Sequence, residues 1–137
     1  MIDPLTLCLA AMLYVEARGS DNVAEKVAMI QAAEMRSAIN QEHPKRRYFA
    51  GGSTDLCAIV SHAQWYGPGG HDIMQRVSKS ENVKTSEAFA LAYRAVGFVL
   101  THDLPFVAGG APCFRTKRGT KDAIVIGDHE FGWWCSY

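Results

Sequence analysis

The feature that most constrains this chain is an almost unbroken apolar run, Leu5 to Val15, that delivers one carboxylate, Glu16, and stops at Arg18-Gly19. Asp3 is a suitable N-cap. Pro4 fits a first turn because its missing N–H would be an orphan there, and Gly19 is free to take the left-handed conformation that ends a helix. The reading is one helix, apolar on almost every face, and such a helix is buried. A carboxyl group in its last turn meets apolar side chains and unpaired backbone carbonyls, and both favour the protonated acid. An acid that stays protonated near neutral pH is what general-acid chemistry requires. The same spacing allows a surface Glu16 paired with Arg18 or a lysine.

A chain of 137 residues is expected to form a single domain, 1–137. Fourteen basic residues offset fourteen acidic ones, so no global field draws it to nucleic acid or to anionic lipid. With Asp3 and no basic n-region, Leu5 to Val15 does not read as a signal peptide, and it is too short to span a bilayer. Synthesis in a cytoplasm without stable membrane insertion is the expectation. Cys8, Cys57, Cys113 and Cys135 form no C-x-x-C pair; four free thiols are expected in a reducing compartment, and disulfides only if the protein acts outside the cell.

Asp21-Asn22 opens a second helix, with Glu25 in a capping-box relation to Asn22. Val23, Val27 and Ile30 give an apolar stripe running to about Ile39, and Glu34 falls at its edge as a second carboxylate. His43 to Arg47 is a basic turn, and Gly51-Gly52-Ser53 is loop. Asp55 to Val60 is a short helical turn. Gln64-Trp65-Tyr66 then precedes Gly67-Pro68-Gly69-Gly70, a composition that suits either the rim of a cleft for a polar polymer or a hydrophobic plug under a loop. Thr85-Ser86-Glu87 starts what reads as the longest helix, with Phe89, Tyr93, Val96 and Leu100 on its core face, ending before Pro105. Two extended pieces, one within Cys113 to Gly119 and one at Ala123 to Gly127, joined by a basic turn at Thr116 to Lys121, read as a hairpin, with Trp133-Trp134 packed back on the fold. The fold class is therefore mainly α (α+β): several helices around a buried N-terminal helix, with a small C-terminal β-hairpin.

Tyr14-Val15-Glu16-Ala17-Arg18-Gly19 resembles the Y-x-E-A-R-G signature of the cell-wall hydrolase family typified by the spore-cortex-lytic enzymes, which also has short phage lysin members. The likeness continues through Val27-Ala28 to Arg36. Cys57-Ala58-Ile59-Val60 with Gln64-Trp65 is similar to the family's C-x-x-V and Q-F segments, and Ile126-Gly127-Asp128-His129-Glu130-Phe131 to its I-G-x-H-x-F close. Met35 stands where the family has Asn, the loop before Gln64 is shorter, and Cys113-Phe114-Arg115 replaces an aromatic segment flanked by histidines.

The resemblance implies a lysozyme-like fold and cleavage of peptidoglycan between N-acetylmuramic acid and N-acetylglucosamine, by a monomer without cofactor or metal. It implies Glu16 as acid and base, forming 1,6-anhydromuramyl ends as a lytic transglycosylase does. Gln64, Trp65, Tyr66, Phe114, Arg115 and His129 are the expected substrate contacts, with Arg115 either meeting an anionic group or simply facing solvent. A phage endolysin that reaches the wall through a membrane lesion, or in a virion, is the expected setting. A hydrolytic muramidase would need a partner carboxylate, for which Asp21, Glu34, Asp55, Asp72 and Asp128 are available. Two other classes stay open: a zinc amidase drawing on His62, His71, His129 and Cys113 or Cys135, though no H-E-x-x-H spacing is present, and a non-catalytic wall-binding or virion protein.

Overall fold

The computed structural model describes residues 3–17, 20–66 and 69–135; Arg18 and Gly19, read above as the helix stop, and Gly67-Pro68 lie outside them. The described helices are α1 (Pro4–Ala17), α2 (Val23–Glu42), α3 (Leu56–Ser61), α4 (Ala63–Tyr66), α5 (Gly70–Lys79), α6 (Glu81–Lys84) and α7 (Glu87–Thr101). Three strands follow, β1 (Cys113–Thr116), β2 (Ile124–Ile126) and β3 (His129–Gly132).

The apolar run is α1, capped by Asp3, whose Oδ2 accepts from the Thr6 N–H at 3.1 Å and from the Thr6 hydroxyl at 2.9 Å. Leu9 to Leu13 are fully buried, because α2, α3, α5 and α7 all pack against this one helix. Burying Leu9, Met12 and Leu13 stabilises the fold by about 2 kcal/mol each. Glu16 is thereby carried at the end of a helix whose middle turns are packed on several sides.

Asn22 caps α2 by accepting from the Glu25 N–H at 3.1 Å. The return arm of the capping box is replaced: the Asn22 N–H donates to Ser20 Oγ at 3.1 Å, and the Glu25 carboxylate reaches across to accept from the Asp128 N–H at 2.6 Å. Val23 does not join the stripe and stands 63% exposed, while Val27, Ile30 and Ile39 are buried. Several polar residues of α2 are buried too, and each satisfies backbone of an irregular segment. The Gln31 amide donates to Pro105 O and accepts from the Val107 N–H; Asn40 donates to Phe49 O and Ser53 O and accepts from the Phe49 N–H. Loops that carry little apolar material are held this way.

Ser86 caps α7, which buries Phe89, Ala92, Val96 and Val99; Leu100, expected on that face, is 36% exposed. At 15 residues α7 is shorter than α2 at 20, which corrects the expectation that it is the longest helix. Nothing in the periodicity anticipates α5, whose Ile73, Met74 and Val77 make too short a stripe to stand out.

The expected hairpin is also corrected. The sheet is three-stranded and antiparallel in the order β1-β3-β2, so the two extended pieces are not neighbours. Ile126 pairs with His129 across Gly127-Asp128, with Gly127 at φ 62°, which makes β2 and β3 the tight hairpin. β1 then adds to the far side of β3, with Phe114 opposite Phe131 and Arg115 opposite Glu130. Every residue of β3 is buried, and a strand covered in this way takes the central place.

All four cysteines are paired, contrary to the expectation of free thiols. Cys8–Cys57 fastens α1 to α3, and Cys113–Cys135 fastens β1 to the segment after β3.

Candidate active site

Glu16 lies in the last turn of α1, partly open to solvent, and burial among apolar groups pushes its carboxyl from the ordinary 4.5 up to about 7. Among the described residues it has no hydrogen-bond or ion-pair partner, so nothing offsets the desolvation. Tyr66, at the end of α4, is its electrostatic neighbour: burial and then the Glu16 charge raise the phenol well above its usual range. The Tyr66 hydroxyl donates to Met74 Sδ at 3.2 Å, so α5 sets the position of the ring. A carboxyl that ionises near neutrality on a rigid helix end can both give up a proton and take one back.

Trp65, adjacent to Tyr66, enters an aromatic cluster. Its ring lies 4.6 Å from the Arg36 guanidinium and meets Phe114 edge-on at 5.0 Å; Phe114 in turn contacts His129 and Phe131, each at 5.8 Å. Arg36 is sandwiched between Trp65 and Phe49, donates through Nε to Pro112 O at 2.7 Å, and is pushed down to about 10 by burial, still cationic at neutral pH. The sequence marks Arg36 only as a helix end. No local pattern shows that a cation at that position is the hub joining α2, the 49–53 loop and the segment before β1.

The other expected substrate contacts divide. Gln64 is exposed, but its amide accepts from the Ala50 N–H at 2.5 Å and donates to Tyr48 O at 3.3 Å, which commits it to holding the 48–50 loop. Arg115 is half-buried and committed within the protein: it donates to Thr120 Oγ1 at 2.6 Å, lies 3.5 Å from Glu130 Oε2, and rests 4.0 Å over the Trp134 ring. Glu130 is held down to about 2 by the Thr120 hydroxyl, against the opposing effect of burial, with help from the Arg118 and Thr120 N–H groups and the Arg115 charge. His129 is 8% exposed, with Nδ1 3.4 Å from Oε2 of the fully buried Glu25.

Of the carboxylates considered as partners to Glu16, Glu34 is half-buried and raised by desolvation. Asp21, Asp55, Asp72 and Asp128 are exposed, and Asp55 caps α3 through the Cys57 N–H at 2.9 Å. The zinc alternative loses two of its donors, since Cys113 and Cys135 are joined to each other, and a disulfide sulfur is not a thiolate ligand. His62 and His71 line a groove of about 590 Å³ with Asp55 and Asp72, whereas His129 sits against Glu25; among the described residues no three His, Cys, Asp or Glu side chains converge to hold a metal ion.

Set against known proteins, the chain matches no family profile, no curated protein and no solved structure.

Proposed function

We propose that this chain cleaves the glycan strand of peptidoglycan, between N-acetylmuramic acid and N-acetylglucosamine, with Glu16 as acid and base. The observation that carries the proposal is the Glu16 carboxyl, raised by burial to about 7, at the end of a helix whose middle is fully buried. Helices gathered round a central α1 with a small sheet beside them are compatible with a lysozyme-like arrangement, and the sequence landmarks described above support the same family. Two disulfides suit work in an oxidising space outside the cytoplasm. A phage endolysin released through a membrane lesion, or carried in a virion, meets the wall in such a space.

Protonated Glu16 donates to the glycosidic oxygen as the C1–O bond breaks and the leaving sugar departs as an alcohol. The resulting carboxylate takes the proton from the muramyl 6-hydroxyl as O6 bonds to C1, which closes a 1,6-anhydro ring and restores the acid. Every proton and electron pair is accounted for without water. Tyr66, Trp65, Phe114 and His129 form the adjoining wall for the sugars, while Gln64 and Arg115 hold its backing loops.

Mass spectrometry of purified peptidoglycan digested with wild type and with Glu16→Gln tests this. Muropeptides at the anhydro mass, one water lighter, are expected with wild type and absent with a folded Glu16→Gln; turnover by the folded variant overturns the role of Glu16. Activity is expected to fall as pH rises through about 7, where the acid is lost. A hydrolytic muramidase predicts ordinary reducing ends instead, and would need an ionised partner carboxylate, a role against which the desolvation of Glu34 works.

A further inference from the structure

The pair Glu25 and His129 has no part in the proton transfers above, yet it combines a fully buried carboxylate with an imidazole at the edge of the aromatic wall. Glu25 Oε2 accepts from the Asp128 N–H at 2.6 Å and lies 3.4 Å from His129 Nδ1. The approach depends on Gly127, because a Cβ there would stand 2.0 Å from the same oxygen. On the sheet, the His129 ring meets Phe114, which meets Trp65, next in sequence to the Tyr66 phenol that senses Glu16. The imidazole therefore touches both the buried Glu25 carboxyl and the Phe114 ring.

The two nitrogens of an imidazole point in nearly opposite directions, and the partner of one decides the protonation of the other. Nδ1 is sealed from solvent and lies 3.4 Å from Glu25 Oε2 without completing a hydrogen bond, and Nε2 enters none of the hydrogen bonds among the described residues. We propose that Glu25 is a positioning residue: its carboxylate fixes the proton on His129 Nδ1, so that bare Nε2 accepts a hydrogen bond from an O–H or N–H of a hexosamine lying on the Phe114 wall. This role rests on the glycan-cleaving reading. It adds a contact that reading lacks, because a bare Nε2 accepts from a sugar O–H or N–H, whereas an Nε2–H would instead donate to a sugar oxygen.

The test uses the full chain with ring-¹⁵N-labelled histidine. In the free protein, above the imidazole titration, the His129 ring shifts are expected to report Nδ1–H and bare Nε2; the opposite tautomer overturns the proposal. The second arm titrates a GlcNAc–MurNAc–GlcNAc–MurNAc tetrasaccharide into Glu16→Gln, which binds without turnover. The His129 Nε2 resonance is expected to move with sugar, and a tetrasaccharide that leaves Nε2 unmoved overturns the proposal. Adding Glu25→Gln to that background is expected to mix the tautomers and weaken tetrasaccharide binding about tenfold, the effect of one good hydrogen bond. A purely structural Glu25 would lower Tm while leaving tautomer and Kd alone. Peptidoglycan cleaved by wild type with Nε2 unmoved sinks only the Glu25 role. Peptidoglycan left intact sinks the cleavage reading, while the tautomer is read independently of it.

Discussion

Replacing Glu16 by Gln is expected to stabilise the protein above neutral pH while abolishing activity. Between 4.5 and about 7 the folded chain retains a proton on Glu16 that the unfolded chain has released. The folded state binds more protons in that window, so stability falls as pH rises, at about 1.4 kcal/mol per pH unit. Summed over the window this reaches about 3 kcal/mol, and partial exposure of the side chain reduces the expected size to about 2 kcal/mol. Gln has the shape of the acid and no charge to desolvate. Wild type and Glu16→Gln should therefore unfold alike near pH 4, diverge between pH 5 and 7, and above pH 7.5 differ by about 7 °C in Tm, the variant being the more stable. Paired melting curves from pH 4 to 8, with circular dichroism as the probe, measure this directly. A stability difference that does not change with pH would refute the claim that burial raises this carboxyl, and with it the physical basis of the acid.

Glu130 should behave in the opposite sense: its carboxylate is held at about 2, so its contribution is present at neutral pH and lost as pH falls from the ordinary carboxyl range toward 2. Glu130→Gln is expected to be less stable than wild type at pH 7, with the gap closing on acidification, as read from denaturant midpoints across pH. Reduction should destabilise by about 4 kcal/mol through the Cys8–Cys57 loop and about 3 kcal/mol through the Cys113–Cys135 loop, judged by the urea midpoint with and without reductant; thiol titration of the unreduced, denatured protein should find no free cysteine. Asn40→Ala removes three hydrogen bonds to the 49–53 loop and strands the buried Phe49 N–H, for an expected loss of about 3 kcal/mol in equilibrium unfolding. A loss below about 1 kcal/mol would mean that water replaces the amide.

Helices with strong local signals were legible. Asp3-Pro4 and the apolar run located α1; Asn22, Asp55 and Ser86 each cap the helix that follows them. The position of Glu16 at the end of a buried helix followed from the same pattern. What escaped was non-local. Gly127-Asp128 is a two-residue hairpin signal, but an Ile-rich piece ahead of it and a basic turn ahead of that drew the pairing toward β1 and β2. Glu25 looked like half of a capping box because its neighbours in sequence are helical, and its hydrogen-bond partner Asp128 lies 103 residues on. Gln31, Arg36 and Asn40 read as ordinary polar positions, since no spacing rule shows that a side chain terminates on the backbone of a distant loop. The disulfides hinge on redox environment, which residue spacing does not encode.

The helix at the centre of the fold is made before the helices that enclose it, and that sets an order of events during synthesis. α1 is apolar almost all round, and α7, one of the helices that enclose it, begins about 70 residues later. At ribosomal speeds of about 5–20 residues per second, α1 waits roughly 4–14 s before that cover exists. Throughout that interval the nascent chain displays an incompletely covered apolar helix, a substrate for chaperones and a seed for aggregation. A ribosome stalled before Ser86 would leave the α7 side of this helix permanently uncovered, so a face that ends deep in the fold begins as one of its most vulnerable.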